Sequence, residues 1–191
     1  MNLPNKLTLS RILAAPIFLF FLVPGWFGQF FGLDQWGRYA AAVFFVLASI
    51  TDLLDGMIAR KQNSVSELGK FLDPIADKLL VTTALVALVA VDNLSVWAVV
   101  IIIARDFIVT GIRVVAAGQG IVIPAGKLGK LKTTFQTIAI VAILIRDFPV
   151  SLILPWLPVG KICMAIAVVL TVFSGVDYVA KNAYIIKKEG S

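Results

Sequence analysis

Four aspartates lie close together in the stretch TDLLDGMIARKQNSVSELGKFLDPIADK (51–78), which separates two long apolar runs. Asp52 and Asp55 are three residues apart and Asp73 and Asp77 are four apart, so on helices each pair shares a face. Carboxylates brought this close repel one another unless cations neutralise them. Oxygen ligands in this number favour Mg²⁺, Mn²⁺ or Ca²⁺, and two ions could share the site with a substrate phosphate.

The alternative is that these aspartates cap helices or form ion pairs with the nearby cations Arg60, Lys70 and Lys78. Two face-matched pairs beside glycines favour ligand binding over that structural role. Gly56 follows Asp55 inside a helical pattern, where glycine costs about 1 kcal/mol relative to alanine. Its missing side chain would let a flat ring or a phosphate approach the backbone, and Ala59 extends this smooth face. Gly69 has the same role or helps to begin the next helix.

The composition places this chemistry in a membrane. The chain has 191 residues, of which 60% are hydrophobic, and its mean hydropathy of +0.97 exceeds that of ordinary soluble domains. Several stretches are longer than about 18 residues and carry few charges, which is enough to cross about 30 Å of hydrocarbon. The net charge of +6 comes from basic residues at the ends of apolar segments, a pattern typical of membrane topology rather than nucleic-acid binding.

Hydropathy, with Gly, Pro and charged residues as boundaries, predicts an all-α, polytopic membrane protein with one domain, 1–191. Its six spans are predicted at 7–23, 38–60, 69–91, 95–117, 131–148 and 158–183. The connections 24–37 and 149–157 carry Trp, Gly and Pro and are expected to be interfacial loops. The distribution of Lys and Arg predicts that both termini and the aspartates face the cytoplasm, at the plasma membrane. A retained first helix is favoured over a signal peptide, because no small-residue cleavage site follows it.

The residue types exclude some chemistry. The chain has no histidine, so catalysis must use carboxylates, lysines, arginines, hydroxyls or a metal. Cys163 is the single cysteine, which rules out an internal disulfide, and we expect it to fill space in an apolar helix.

The aspartate stretch resembles the signature of the CDP-alcohol phosphatidyltransferases. Eight fixed positions match at that family's spacing: Asp52-x-x-Asp55-Gly56-x-x-Ala59-Arg60, eight residues, then Gly69-x-x-x-Asp73-x-x-x-Asp77. The family's six-helix membrane fold agrees with the number of predicted spans, and its dimeric relatives imply a homodimer. The resemblance also implies a requirement for Mg²⁺ or Mn²⁺, with two ions bound.

The same resemblance implies roles for individual residues. Asp52, Asp55 and Asp73 would hold the two cations, while Asp77 would help to bind them and act as the base. The residues that would contact the CDP group are Gly56, Ala59, Arg60 and Gly69, with Gly56 and Ala59 facing the cytidine.

Three further segments resemble one branch of the family, the phosphatidylglycerophosphate synthases: LPNKLTLSRILAAPIF, RDFIVTGIRVVAAGQG and GKLGKLKTTFQ. By this resemblance Asn5, Thr8 and Arg11 help to hold the CDP group. The spacing of Thr8 and Arg11 puts them on one face of the first helix. The alternative for this pair is a helix cap and an interfacial arginine.

A cluster of cations elsewhere predicts where an anionic acceptor binds. Arg105 lies about ten residues into a predicted span, where an unpaired charge costs at least a few kcal/mol. Its neighbour Asp106 could pair with it, but adjacent helical residues diverge, which favours another helix or an anion. Together with Arg113, Lys130 and Lys132, Arg105 is predicted to bind glycerol phosphate. The alternatives are an internal ion pair for Arg105 and topological charge for the lysines, including Lys127.

The resemblance implies transfer of a phosphatidyl group from CDP-diacylglycerol to sn-glycerol 3-phosphate, with direct attack of the acceptor hydroxyl and release of CMP. Inositol phosphate, serine or phosphatidylglycerol are alternative acceptors, although serine would need less positive charge. A divalent-cation transporter is disfavoured by the apolar outer halves of the helices. A helical prenyl-transferring enzyme is disfavoured because the second aspartate pair follows directly in the adjacent helix. In the last helix, Asp177 and Lys181 are spaced for an i,i+4 ion pair.

Overall fold

The computed structural model describes residues 3–23, 34–59, 67–121, 123–124 and 126–189. These residues form seven helices and no strand, so the predicted all-α fold is confirmed for them. The helices are α1 (Leu3–Leu22), α2 (Asp34–Ala59), α3 (Glu67–Asp92), α4 (Val96–Gly118), α5 (Lys127–Leu144), α6 (Val150–Ile153) and α7 (Val159–Glu189). Side chains are described for residues 9–23, 36–51, 76, 78–121, 123–124 and 126–183.

The helix α5 spans Lys127–Leu144, so it begins and ends four residues before the span predicted near 131–148. At its start, lysine is a good helix former, so the basic segment joins the helix instead of preceding it. At its end, Arg146 and Asp147 have φ angles of 54° and 58°, which a right-handed helix cannot contain. The predicted loop 149–157 also contains the one-turn helix α6.

Two groups of helices make up the core. In the first group α1 packs on α2 and α3, and in the second α7 packs on α4 and α5. The groups meet where α5 contacts α2 and α3 and where α3 contacts α4. Phe18 and Phe45 are fully buried with their ring centroids 5.9 Å apart, and they share one apolar cluster with Leu85, Leu88 and Ile140. Burial of these large side chains fixes the helices that carry the polar residues.

Arg38 joins three helices at one end of the bundle. Its Nη2 lies 2.5 Å from Asp92 Oδ2 at the end of α3. The same side chain donates to the carbonyls of Ile143 and Leu144, each at 3.3 Å, in the last turn of α5. Such carbonyls have no partner within their own helix. Arg38 therefore fixes the start of α2 against the ends of α3 and α5.

Within the described residues, one stretch of α7, Val159–Ala183, is apolar and long enough to cross a membrane, with a mean hydropathy of 2.1. Leu9–Leu22 and Trp36–Thr51 are shorter apolar helical segments. Charged residues interrupt the other long helices, three of them in α4 and three in α5. The six membrane spans stay a prediction.

Candidate functional site

The predicted aspartate pairs lie on helical backbone. Asp52 and Asp55 belong to the last turns of α2, and Asp73 and Asp77 to the first turns of α3. Nine predicted site residues are described as helical backbone alone, namely Asn5, Thr8, Asp52, Asp55, Gly56, Ala59, Gly69, Asp73 and Asp77, and Arg60 lies outside the described residues. Among the side chains that are described, no three His, Cys, Asp or Glu residues form a metal-binding group. The prediction of a metal site thus concerns side chains outside that set.

A cavity of about 420 Å³ opens between α4, α5 and α7, and we call it the basic cavity. Its lining carries six cationic side chains and two acidic ones: Lys78, Arg105, Arg113, Lys127, Lys130 and Lys181, with Asp106 and Asp177. The excess of positive charge suits an anionic ligand. Of the four residues predicted to bind glycerol phosphate, three line this cavity and Lys132 does not.

Arg105 crosses from α4 into a gap left by two glycines. A Cβ atom at Gly129 of α5 would lie 3.3 Å from Arg105 Nη2, and one at Gly175 of α7 would lie 3.0 Å from Arg105 Cγ. The Arg105 Nε is buried and has no hydrogen-bond partner in the described part of the chain. A buried N–H group of this kind needs an acceptor, and the adjoining cavity can supply one from a ligand or from water.

The expectation that Asp106 would not be the partner of Arg105 is wrong. Arg105 Nη1 lies 3.2 Å from Asp106 Oδ1, because the long arginine side chain spans the divergence between consecutive helical positions. Lys132 of α5 also binds this carboxylate, and its Nζ lies 2.8 Å from Oδ1 and 2.7 Å from Oδ2. The Lys132 side chain is 0% exposed. The structure thus places Lys132 behind the cavity wall, with its charge directed at Asp106.

Arg113 lies about two helical turns after Arg105 in α4, and Tyr178 of α7 holds it in place. Its Nε donates to the Tyr178 hydroxyl at 3.2 Å, and its guanidinium carbon lies 5.6 Å from the ring centroid, within the range of a cation–π interaction. Sequence reasoning left Tyr178 without a role, although a tyrosine beside Asp177 in an apolar helix was a usable signal. The predicted pair of Asp177 and Lys181 is confirmed, with 2.7 Å between Oδ1 and Nζ.

A second cavity, of about 750 Å³, lies between α1, α2, α3 and α5, and we call it the amphipathic cavity. One part of its lining is polar: Ser10, Arg11, Ser49, Thr51, Lys78, Thr133, Thr134 and Thr137. The other part is apolar: Ala14, Phe44, Leu47, Ala48, Ala76, Leu80, Val81 and Ile138. A molecule with a polar head and an apolar body matches this division.

The two cavities share a wall, because Lys78 and Thr133 line both of them. The end of α2 and the start of α3 border the amphipathic cavity through Thr51 and Ala76. These two residues are the chain neighbours of Asp52 and Asp77. The helix segments that carry Asp52 and Asp77 therefore both border the amphipathic cavity.

Known proteins are similar to this chain over nearly its whole length. The family model described as CDP-alcohol phosphatidyltransferase matches residues 1–173. A protein of Bacillus subtilis (strain 168) is named CDP-diacylglycerol--glycerol-3-phosphate 3-phosphatidyltransferase. It is 44% identical over an alignment of 193 positions, which covers 95% of each chain. A protein of Rickettsia typhi with the same name is 41% identical over 177 residues, covering 93% of this chain and 94% of its own.

Proposed function

Because the chain belongs to the CDP-alcohol phosphatidyltransferase family, we propose that it transfers the phosphatidyl group of CDP-diacylglycerol to sn-glycerol 3-phosphate. The products are phosphatidylglycerophosphate and CMP. The names of the similar proteins support this reaction. The observation that carries it is the basic cavity, which adjoins the amphipathic cavity across one wall. A charged acceptor and a lipid donor each have a matching compartment.

The basic cavity is the site for the acceptor. Arg105, Arg113 and Lys130 line it, and charge-assisted hydrogen bonds from such groups to phosphate are about twice as strong as neutral ones. The buried Arg105 Nε, which has no acceptor among the described residues, gains one when a phosphate binds. Serine carries no phosphate and would leave this positive charge without a counterion. Inositol phosphate and phosphatidylglycerol also carry a phosphate, and an acceptor panel distinguishes them from sn-glycerol 3-phosphate.

The amphipathic cavity is the site for the lipid donor. Its apolar wall suits the diacylglycerol body, while Arg11 and the threonines of α5 suit the polar head. The CDP group would be held by Asn5, Thr8 and Arg11 of α1, with Gly56, Ala59, Arg60 and Gly69 around the aspartate stretch. The position of Arg11 in this lining supports that assignment.

The donor set fits two Mg²⁺ or Mn²⁺ ions. It consists of carboxylates alone, at i,i+3 and i,i+4 spacing on helical backbone, and the chain neighbours of two of them border one cavity. Oxygen ligands of this kind are those that both metals prefer. Asp52, Asp55, Asp73 and Asp77 would hold the ions. When bound, such ions neutralise the diphosphate and the charge that develops at the attacked phosphorus.

The residues of the chain then account for transfer in one step, in which the acceptor oxygen displaces CMP from the phosphatidyl phosphorus. Arg105, Arg113 and Lys130 bind the acceptor phosphate and orient one of the two acceptor hydroxyls toward the lipid donor. Asp77 takes the hydroxyl proton as the acceptor oxygen bonds to the phosphatidyl phosphorus. The bond from that phosphorus to CMP breaks, and CMP leaves with the electron pair. Holding both substrates beside one wall contributes to the rate by proximity, and no protein side chain bonds to phosphorus.

The reaction takes place in a membrane that the chain crosses six times, with both termini and the site on the cytoplasmic side of the plasma membrane. Large apolar side chains exposed on several helices support this topology: Val43, Leu47 and Ile50 on α2, Phe107, Ile108 and Val114 on α4, and Val172, Phe173 and Val176 on α7. In water these surfaces would aggregate, whereas lipid tails cover them without cost. The charged residues of α4 and α5, apart from the buried Lys132, line the basic cavity instead. The family resemblance favours a homodimer.

The test is an acceptor panel. Purified protein in lipid nanodiscs is given labelled CDP-diacylglycerol and, in turn, sn-glycerol 3-phosphate, inositol phosphate, serine or phosphatidylglycerol. We expect CMP release and labelled phosphatidylglycerophosphate with the first acceptor. Both products should be lost when a chelator is added, and both should return when Mg²⁺ is restored. Turnover with serine alone would overturn the assignment of the acceptor. Turnover that survives the chelator would overturn the metal site.

A further inference from the structure

Three charged groups form a chain that begins at the wall of the basic cavity, where Arg105 and Asp106 lie, and ends behind it at Lys132. The Asp106 carboxylate lies between two cations, Lys132 with contacts of 2.7 and 2.8 Å and Arg105 with one contact of 3.2 Å. The Lys132 side chain is fully buried, and the side chains of Arg105 and Asp106 are each 15% exposed. One negative and two positive charges leave a net positive charge in a place with little water.

The geometry decides which cation carries the spare charge. Lys132 directs its ammonium at both oxygens of Asp106 and does not reach the cavity. Arg105 gives Asp106 a single longer contact, lines the cavity, and has a buried Nε without an acceptor in the described part of the chain. Lys132 therefore neutralises the carboxylate, and Arg105 keeps its charge and an N–H group for a ligand.

We propose that Lys132 and Asp106 are positioning residues for the acceptor site, acting through Arg105. Asp106 holds the guanidinium at the cavity wall, and Lys132 prevents Asp106 from taking that guanidinium as its own counterion. This role differs from direct contact between Lys132 and the acceptor phosphate. It rests on the proposed function for the identity of the acceptor, sn-glycerol 3-phosphate.

Removal of Lys132 separates this positioning role from two others that a buried lysine can have, namely direct contact with the acceptor and stabilisation of the fold. In Lys132→Met, the Asp106 carboxylate loses its main partner and must draw Arg105 away from the ligand, because an unpaired charge at such a site is costly. Adding Asp106→Asn removes that competing charge, while the asparagine oxygen can still accept the hydrogen bond that holds Arg105 at the cavity wall. The second substitution should therefore repair the defect caused by the first.

The experiment measures dissociation constants for sn-glycerol 3-phosphate by calorimetry and Michaelis constants for both substrates, on full-length protein in nanodiscs. For Lys132→Met we expect acceptor binding to weaken about tenfold to a hundredfold, the range for loss of one hydrogen bond to a charged group. The Michaelis constant for CDP-diacylglycerol should change less than about twofold, because neither Lys132 nor Arg105 lines the amphipathic cavity. The double variant should return to within about threefold of the original protein.

Other results overturn the proposal. A double variant as weak as Lys132→Met would mean that Lys132 itself contacts the acceptor. Unchanged acceptor binding in Lys132→Met would mean that the pair serves stability alone. If that variant does not accumulate, Lys132→Gln takes its place, since it removes the charge but retains a donor for Asp106. A protein that binds glycerol phosphate with this pattern but does not turn it over would refute the proposed function and leave the positioning role intact.

Discussion

Gly175 offers a test of how closely the acceptor site depends on packing around Arg105. A Cβ atom at this position would lie 3.0 Å from Arg105 Cγ and 3.9 Å from its Cβ. Carbon atoms prefer a separation of about 3.5–4.0 Å, so Gly175→Ala leaves the contact about 0.5–1 Å too short. The clash falls on the inner part of the arginine side chain, which cannot swing aside as its tip could.

The expected size of the effect follows from this displacement. Gly129 confines the other end of the side chain, since a Cβ there would lie 3.3 Å from Arg105 Nη2. A shift of Cγ by several tenths of an ångström is therefore passed on to the guanidinium. Loss of one charge-assisted hydrogen bond costs about 1.5–3 kcal/mol, so the Michaelis constant for sn-glycerol 3-phosphate should rise about 10- to 100-fold. The constant for CDP-diacylglycerol should stay unchanged, because Arg105 does not line the amphipathic cavity.

Gly111→Ala is the matched control. Gly111 also lies on a helix near the site, but a Cβ atom there would meet no atom within 4 Å. We expect unchanged constants for both substrates and a gain in stability of up to about 1 kcal/mol from the better helix propensity of alanine. Steady-state kinetics and thermal unfolding of both variants in nanodiscs provide the comparison. Equal acceptor constants for Gly175→Ala and Gly111→Ala would refute the reasoning about Arg105.

Three further predictions concern the acceptor, the reaction path and the bundle. Arg113→Ala should raise the Michaelis constant for sn-glycerol 3-phosphate at least about tenfold with a much smaller change for the lipid donor, and equal changes in initial-rate measurements would contradict its placement. Rapid acid quench during turnover should yield no protein labelled from CDP-diacylglycerol, because the proposed transfer is direct, and a phosphorylated or phosphatidylated protein would exclude that path. Arg38→Ala should lower the free energy of unfolding by about 1–3 kcal/mol, since Asp92 and the Leu144 carbonyl lose their contact with Arg38 and the Ile143 carbonyl keeps only the N–H of Arg146. Lys181→Ala serves as its control, because the pair with Asp177 is exposed and should contribute at most about 1 kcal/mol. Equal unfolding temperatures for the two variants would show that Arg38 does not hold the helices together.

The sequence predicted the helices well because long apolar runs are a local signal. It failed at the start of α5, where the lysines looked like a connecting segment and are helical. The Asp177–Lys181 pair was predictable because an i,i+4 spacing on a helix fixes the distance. The contact of Arg38 with Asp92 was not, because these residues are 54 positions apart and meet through the packing of α1 on both α2 and α3.

The proposed acceptor site likewise combines features that the sequence predicts with contacts between distant residues that it does not. Cations near one face were visible in the sequence, and Arg105, Arg113 and Lys130 line one cavity. Lys132 looked like the other lysines, because nothing local reveals that it lies buried against Asp106, 26 residues earlier in the chain. The space that Gly175 provides for Arg105 depends likewise on the contact between α4 and α7, which no pattern in either helix indicates.

The wall that Lys78 and Thr133 provide for both cavities has a kinetic consequence. An exchange of either side chain reshapes two compartments together, so its effect on a water-soluble substrate cannot be separated from its effect on a lipid. Selectivity for a different alcohol is therefore easier to obtain at Arg113 or Lys130, which face one compartment, than at this common boundary.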